Sequence, residues 1–198
     1  VVRDPGNTVA DAFGAERTPQ VFVVDGDLRV RYSGRIDDQY GFREETRAAF
    51  RRPEPKRRDL FEALTDLVAG RDVRVEFTDF DGCLIGRIRP AQLDAEITYA
   101  SHVAGILNKN CVFCHRTGQI APFSLTSYED AAGWAEMIAE VTHDRRMPPW
   151  HADPKHGSFQ NNTRMNDDEL ALIQRWVAAG APEGDPSETP SPPDYAEG

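Results

Sequence analysis

The chain has 198 residues, and its 33 acidic side chains against 23 Lys and Arg give a net charge of −10. This balance disfavours binding to nucleic acid or to an anionic membrane surface, because both attract clusters of Lys and Arg. No apolar run reaches the roughly 18 residues that a membrane-spanning helix needs. Three cysteines are too few for a disulfide-held scaffold. The length fits one large domain or two small ones.

The two parts of the chain differ in composition. Residues 1–96 hold 16 basic and 19 acidic side chains, whereas residues 97–198 hold 7 and 14. All three tryptophans, all three methionines and all five histidines lie in the second part. This predicts two modules, at 1–96 and 97–182, followed by a Pro-rich linker or tail at 183–198. The chain starts without Met or a signal segment, and we expect it to be an internal part of a longer protein.

Hydrophobic periodicity predicts the elements of the first part. The predicted elements are a short helix at 9–13, a β-hairpin of strands 20–24 and 28–32, a long loop at 36–56 with helix near 44–50, a helix at 57–69, and a strand at 73–77. Cys83 follows this strand. It is either a small buried hydrophobe or a thiol that pairs with a cysteine elsewhere, and the sequence leaves both open.

The first part resembles the C-terminal portion of a thioredoxin-like (redoxin) domain. Residues 14–25, which contain Thr18-Pro19, the hairpin and the closing helix carry the resemblance. It implies that Pro19 is cis and faces redox cysteines, although an ordinary trans-Pro turn is the alternative. The catalytic cysteine of that family would lie in a preceding half, so the resemblance supplies no thiol pair here. We therefore expect a partial thioredoxin-like α/β module.

The most specific motif is Cys111-Val112-Phe113-Cys114-His115. Cys-x-x-Cys-His is the covalent attachment site of haem c. Two thiols three positions apart in a tight turn can reach the two vinyl groups on one porphyrin edge. The adjacent imidazole then lies under the iron as the proximal ligand. The motif predicts one covalent haem c held by Cys111, Cys114 and His115.

The surrounding sequence agrees with this interpretation. A helix is predicted at 97–110 before the motif, an apolar loop at 118–123 after it, and a helix at 128–141. Met147 lies on a Pro-rich loop that ends at Trp150. A closing helix is predicted at 167–179, with Asn166 and Glu169 forming a capping box at its start.

Residues 97–182 resemble a class I-like monohaem cytochrome c domain in their order of elements and motifs. The segments 114–125 and 146–153 also resemble the cytochrome domain of bacterial proteins that join a redoxin-like domain, a cytochrome c and a copper type II ascorbate-dependent monooxygenase-like domain. The resemblance implies an α+β chain: a partial thioredoxin-like module followed by an all-α cytochrome c domain. It implies an electron carrier serving a larger oxidoreductase, with a redox partner protein or adjacent domain. A periplasmic or exported location follows, since haem c is attached outside the cytoplasm.

The second iron ligand is predicted to be Met147, because a stiff Pro-rich loop holds its thioether. Met137 and Met165 are expected in the core and His102 on the surface. His156 is also present in this part of the chain, but the rivals are His143 and His151, which flank Met147. An iron site left open on that side is the other alternative. Arg145, Arg146 and Trp150 are candidate partners of a haem propionate, or else a solvated basic pair and a core Trp. Pro122 is expected near the proximal ligand, and Trp176 is expected in helix packing.

Three other classes of function remain open. A zinc site formed by Cys111, Cys114, His151 and His156 would need an unusually long spacing. A thiol-redox protein would need a catalytic Cys outside this chain. A structural interaction domain without haem is the third alternative. The acidic second part predicts docking to a basic partner surface, weakened by salt.

Overall fold

The structure is a computed structural model that describes residues 4–43, 49–87, 90–92, 94–150, 152, 154–160 and 162–195. Helices and small antiparallel sheets are both present, which confirms the α+β class. The chain divides into two compact units, Val1–Ile85 and Gly86–Gly198, whereas composition predicted a boundary near residue 96. No helix among the described residues is long and apolar enough to span a membrane.

The described part of the first unit combines short strands with two α-helices, α1 (Thr8–Ala12) and α2 (Asp59–Val68), and a 3-10 turn (Pro5–Asn7) before α1. Its described strands form three two-stranded antiparallel sheets. The strands are β1 (Arg17–Thr18) with β6 (Cys83–Leu84), β2 (Val21–Val24) with β3 (Val30–Gly34), and β4 (Tyr40–Phe42) with β5 (Ala49–Arg51). The β2–β3 pair confirms the predicted hairpin, and α2 confirms the predicted helix.

A thin core lies between the β2–β3 hairpin and α2. Tyr32, Ala63 and Val73 are buried, and Val21, Val23, Leu60 and Leu67 pack around them. The Tyr32 hydroxyl donates to the Arg35 carbonyl at 2.6 Å and lies 2.9 Å from the Thr78 hydroxyl. The phenol therefore keeps its polar atom satisfied inside the core.

Two predictions for the first unit are wrong. The loop predicted at 36–56 contains the β4–β5 hairpin, and Ala49 and Phe50 are in a strand instead of a helix; 44–48 lie outside the described residues. The segment 73–77 is not a strand, and only Phe77 makes a bridge, to Ser33. The reason is that this segment is bound to α2, because the Arg74 side chain and backbone N–H both donate to Asp66 and do not pair with a strand.

Arginine–aspartate pairs hold the loops of the first unit to α2. The Asp59 carboxylate is fully buried and pairs with Arg35 and Arg57, each at 2.7 Å. Asp66 pairs with Arg71 at 2.9 Å and Arg74 at 2.8 Å. These contacts give four arginines of this part of the chain a structural role. Hydrogen bonds from Arg74 and Arg71 lower the pKa of Asp66 to about 2, against the opposing effect of burial.

The second unit is helical. A π-helical turn (Tyr99–Val103) leads into α3 (Ala104–Asn110), and together they form the helix predicted before the motif. The helix predicted at 128–141 is broken at Trp134 into α4 (Tyr128–Gly133) and α5 (Ala135–His143). The closing helix is α6 (Asp167–Ala178), and the capping box of Asn166 and Glu169 is confirmed.

These helices enclose one apolar core. Val103, Ile106 and Leu107 are buried on one face, as their spacing predicts. Ile173 and Trp176 of α6 are fully buried against them. The Trp176 indole N–H donates to the Pro182 carbonyl at 3.0 Å, which confirms its role in packing.

Residues 182–195 pack against the π-helical turn and α3, although a linker or tail was predicted from residue 183. We call this segment the C-terminal strap. The backbone N–H groups of Tyr99 and Ala100 donate to the Pro182 and Glu183 carbonyls at 2.8 and 2.9 Å. These donors belong to the first turn of a helix and have no partner inside it. The strap therefore completes the hydrogen bonding of that turn.

We predict that Asp66→Asn changes the acid sensitivity of the first unit. The carboxyl titrates at an ordinary pKa of 3.8 when unfolded and at about 2 when folded. Its ionised form therefore stabilises the fold above pH 3.8, and this contribution is lost as the pH falls towards 2. The difference in urea midpoint between wild type and Asp66→Asn should be largest above pH 3.8 and shrink towards pH 2. Far-UV circular dichroism measures the urea midpoint. Tryptophan fluorescence reports the second unit separately, because all three tryptophans lie there.

Asp72→Asn is the matched control. Asp72 also pairs with an arginine, Arg31 at 2.8 Å, but its side chain is 95% exposed. Exposed pairs contribute little to stability, so this variant should follow the wild type at every pH. Equal pH profiles for Asp66→Asn and Asp72→Asn would contradict the prediction.

Candidate functional site

The Cys-x-x-Cys-His segment forms one tight turn at the end of α3. The Cys111 N–H donates to the Leu107 carbonyl at 2.8 Å, so the turn continues directly from the helix. The N–H groups of Cys114 and His115 both donate to the Cys111 carbonyl, at 3.1 and 2.9 Å. The structure therefore brings Cys111, Cys114 and His115 together, and both thiols are free.

The His115 imidazole is oriented by a backbone carbonyl. Its Nδ1 lies 3.2 Å from the Phe123 carbonyl oxygen. That oxygen can only accept, so Nδ1 carries the proton and the lone pair is on Nε2. The loop after the motif is held in place by two more bonds, from Leu125 N–H to the His115 carbonyl at 2.9 Å and from Ala121 N–H to the Cys114 carbonyl at 3.3 Å.

Two aromatic rings support the imidazole. The Phe123 ring lies 4.6 Å from the His115 ring and stacks on Trp134 at 4.2 Å, with 17° between their planes. Trp134 stands at the break between α4 and α5, so the break directs its ring towards the motif loop. Sequence reasoning did not identify these roles. It placed Pro122 near the ligand, but Pro122 is exposed and the next residue makes the contacts.

Burial determines the protonation of the motif side chains. Desolvation raises the pKa of the Cys111 thiol to about 12. Burial also lowers the pKa of His115, against the opposing effect of its bond to Phe123. In the folded chain the imidazole is therefore neutral near pH 7. The Cys111 thiol is protonated, which makes it a poor nucleophile for thiol–disulfide exchange.

Met147 lies on a short loop that follows α5. Its N–H donates to the Val141 carbonyl at 3.0 Å, and the Met147–Pro148 peptide bond is cis. The side chain is 42% exposed. It lines a small cavity together with Trp150, Met165 and Leu170.

The arginines of this loop are engaged with the protein. Arg145 donates to the Met165 carbonyl at 2.6 Å and pairs with Asp167 at 2.5 Å. Arg146 is half-buried and pairs with Glu140 and Asp144. The expectation of a solvated basic pair is therefore wrong, because both side chains tie the loop to neighbouring elements. The Trp150 ring lies edge-on to Phe159 at 5.7 Å.

The rival iron ligands occupy varied positions. Met137 and Met165 are buried, as predicted. His102 was predicted to be exposed but is half-buried, because its Nδ1 accepts from the Thr98 N–H at 3.3 Å. His143 and His156 are exposed, and His151 lies outside the described residues. His115 contacts Phe123, and Met147 lines a cavity with Met165. Among the described contacts there is none between Met147 and His115.

Four large hydrophobic side chains are exposed among the described residues of the helical unit, namely Phe113, Ile120, Met147 and Phe159. Phe113 lies inside the motif and Ile120 in the loop after it. The donor groups of the motif are two free thiols and an imidazole with an unprotonated Nε2 in one turn. Groups of this chemistry are compatible with a covalently attached haem.

The remaining predictions concern a zinc site, Cys83 and the peptide bond before Pro19. In the described part of the chain, no group of three or more His, Cys, Asp or Glu side chains is arranged to hold a metal ion. Cys83 is exposed in β6, where it pairs with Thr18 of β1, so its interpretation as a buried hydrophobe is wrong. The neighbouring Thr18–Pro19 peptide bond is cis, as the thioredoxin-like resemblance implied.

Comparisons with protein-family models, with curated proteins and with solved structures found no match to this chain.

We predict that Phe123→Ala lowers the free energy of unfolding of the helical unit by about 2–3 kcal/mol, because it removes two ring contacts and opens space under the motif loop. Urea unfolding followed by tryptophan fluorescence measures the change. Ile120→Ala is the control in the same loop. Ile120 is 91% exposed, so its truncation should stay within about 0.5 kcal/mol of wild type. Equal losses for the two variants would contradict a supporting role for Phe123.

Proposed function

We propose that the chain is an electron-transfer protein with one covalent haem c. The observation that carries the proposal is the His115 imidazole, whose Nδ1–H is held by the Phe123 carbonyl at 3.2 Å. Metal-bound histidines characteristically donate the second ring N–H to a carbonyl or carboxylate, which orients the ring and its free nitrogen. Two thiols stand in the same turn, at the spacing that haem c attachment requires.

Each residue of the turn has a separate part in this proposal. Cys111 and Cys114 would hold the haem through thioethers, each formed by addition of a thiol S–H across a vinyl double bond. His115 would bind the iron through Nε2. The haem supplies reversible one-electron chemistry at its iron. Phe123 fixes the imidazole tautomer through its carbonyl, and its ring contacts both His115 and Trp134.

Met147 is the proposed second ligand. Its side chain is exposed, unlike those of Met137 and Met165, and its loop is tied down through Arg145 and Arg146. His/Met ligation raises the potential of a haem above that of a bis-His haem. Such a site suits passing single electrons.

The finer fold assignments belong to the same proposal. The helical unit is a cytochrome c-like domain, and the first unit is part of a thioredoxin-like domain in a larger oxidoreductase. Haem c attachment places the protein in the periplasm or outside the cell. Its redox partner is a separate protein or an adjacent domain, which docks on the acidic surface.

We predict that the chain, expressed with a haem-attachment system, gives a c-type pyridine haemochrome spectrum. Cys111→Ser should shift this band towards that of haem with a free vinyl group, because one thioether is lost. Cys83→Ser is the matched control and should leave the spectrum unchanged, since Cys83 lies in the other unit. A wild-type chain without a c-type band would overturn the proposed function.

Conservative substitutions of the three methionines test the second ligand. Met147→Leu removes the thioether and should lower the midpoint potential by on the order of 0.1 V, within the range that axial ligands set. Met147→His should also lower it and change the spectrum to a bis-His type. Met137→Leu and Met165→Leu conserve volume and should leave both properties unchanged. If only Met165→Leu alters them, then Met165 is the ligand and Met147 is not.

A further inference from the structure

The C-terminal strap (residues 182–195) reaches the haem-attachment turn at its far end. The Tyr195 hydroxyl donates to the Asn108 carbonyl at 3.0 Å, and the ring packs at the edge of the helical core. Asn108 is in the last turn of α3, immediately before the motif. A carbonyl in that turn has no partner in the helix, so Tyr195 completes the hydrogen bonding at the end of α3. The start of the strap does the same for the first turn of the preceding π-helical segment.

Tyr195 also contacts the residue that follows His115. The Arg116 guanidinium lies 4.5 Å from the centre of the Tyr195 ring and 5.3 Å from the centre of the Phe113 ring. Arg116 additionally donates to the Phe113 carbonyl. Cations over aromatic faces are attracted by the ring quadrupole. The Arg116 side chain is therefore held between one ring from inside the motif and one ring from the strap.

The strap is anchored along its length. The strap accepts hydrogen bonds from Tyr99 and Ala100 near its start. Further along, its Glu188 side chain accepts a hydrogen bond from the Ser101 hydroxyl. Gly184 has φ +80°, and a Cβ at this position would lie 2.6 Å from the Thr98 side chain. Only glycine fits this close approach without strain. The anchored course of the strap thus determines where the Tyr195 ring is presented.

We infer that Tyr195 and Arg116 are positioning residues, through which the C-terminal strap holds the Cys111–His115 turn in its haem-binding conformation. The effect of this contact on haem properties rests on the proposed function. The contact itself is a property of the chain and is measurable without haem. Loss of the Tyr195 ring removes the contact between the strap and Arg116, while the contacts of Arg116 with Phe113 remain. The turn that carries His115 is then held less firmly.

Hydrogen exchange of the full chain without haem tests the contact directly. In Tyr195→Ala and in Arg116→Gln, protection of the Cys114 and His115 amides should fall by about threefold to fivefold, the range expected of a cation–π contact. The double variant should lose less protection than the sum of the two single losses, because the contact between Tyr195 and Arg116 is already absent in each single variant. Tyr195→Phe retains the ring and should stay close to wild type. Ser191→Ala, an exposed strap position, is the control.

The haem-loaded full chain provides the second measurement. Tyr195→Ala should shift the midpoint potential, while Tyr195→Phe and Ser191→Ala should not. Unchanged exchange and unchanged potential in Tyr195→Ala would overturn the inference. So would losses that are additive in the double variant or spread equally over α6. If exchange responds as expected but no haem attaches, the proposed function fails and the contact stands.

Discussion

The organisation of the helical unit depends on one carbonyl oxygen. The Pro182 carbonyl accepts hydrogen bonds from the Tyr99 backbone N–H and from the buried Trp176 indole. It thereby joins the first helical turn, the closing helix and the strap at a single buried point. Because an unpaired indole or first-turn N–H would be costly in this core, the three segments must meet there. The direction of α3, and hence the place where the Cys-x-x-Cys-His turn begins, follows from this junction.

The motif turn is then supported from two directions. The loop after it returns so that the Phe123 carbonyl meets His115, and its ring fills the space up to Trp134. From the other end, the strap brings Tyr195 against Arg116. The imidazole itself is bound by a backbone carbonyl and not by a carboxylate, and burial keeps the pKa of His115 below its usual value. The first unit is built differently, since buried Asp59 and Asp66 bind arginines from the surrounding loops.

Local patterns predicted much of the fold. The β2–β3 hairpin, α2 and α6 with its capping box all follow from alternation, helical periodicity and capping residues, which act within a few positions of the chain. The wrong predictions lie where a contact with residues distant in the chain overrides the local secondary-structure preference. The alternating segment 73–77 is bound to α2 through Arg74, and the loop predicted near residue 50 pairs with β4. A polar Pro-rich segment reads as a linker, because composition does not reveal that its carbonyls meet unpaired helix donors.

The reactive groups of the site were predictable from five consecutive residues: two thiols and an imidazole in one turn, with methionines in the same part of the chain. Spacing within a turn is a local property, so no distant contact is needed to establish it. The folded chain was needed to show which nitrogen of His115 carries the proton, that Phe123 and not Pro122 contacts it, and that Met147 is the exposed methionine. It also decided that Arg146 pairs with Glu140 and that Tyr195 reaches Arg116. Those relations join residues distant in sequence, and they exist only once packing brings their atoms within a few ångströms.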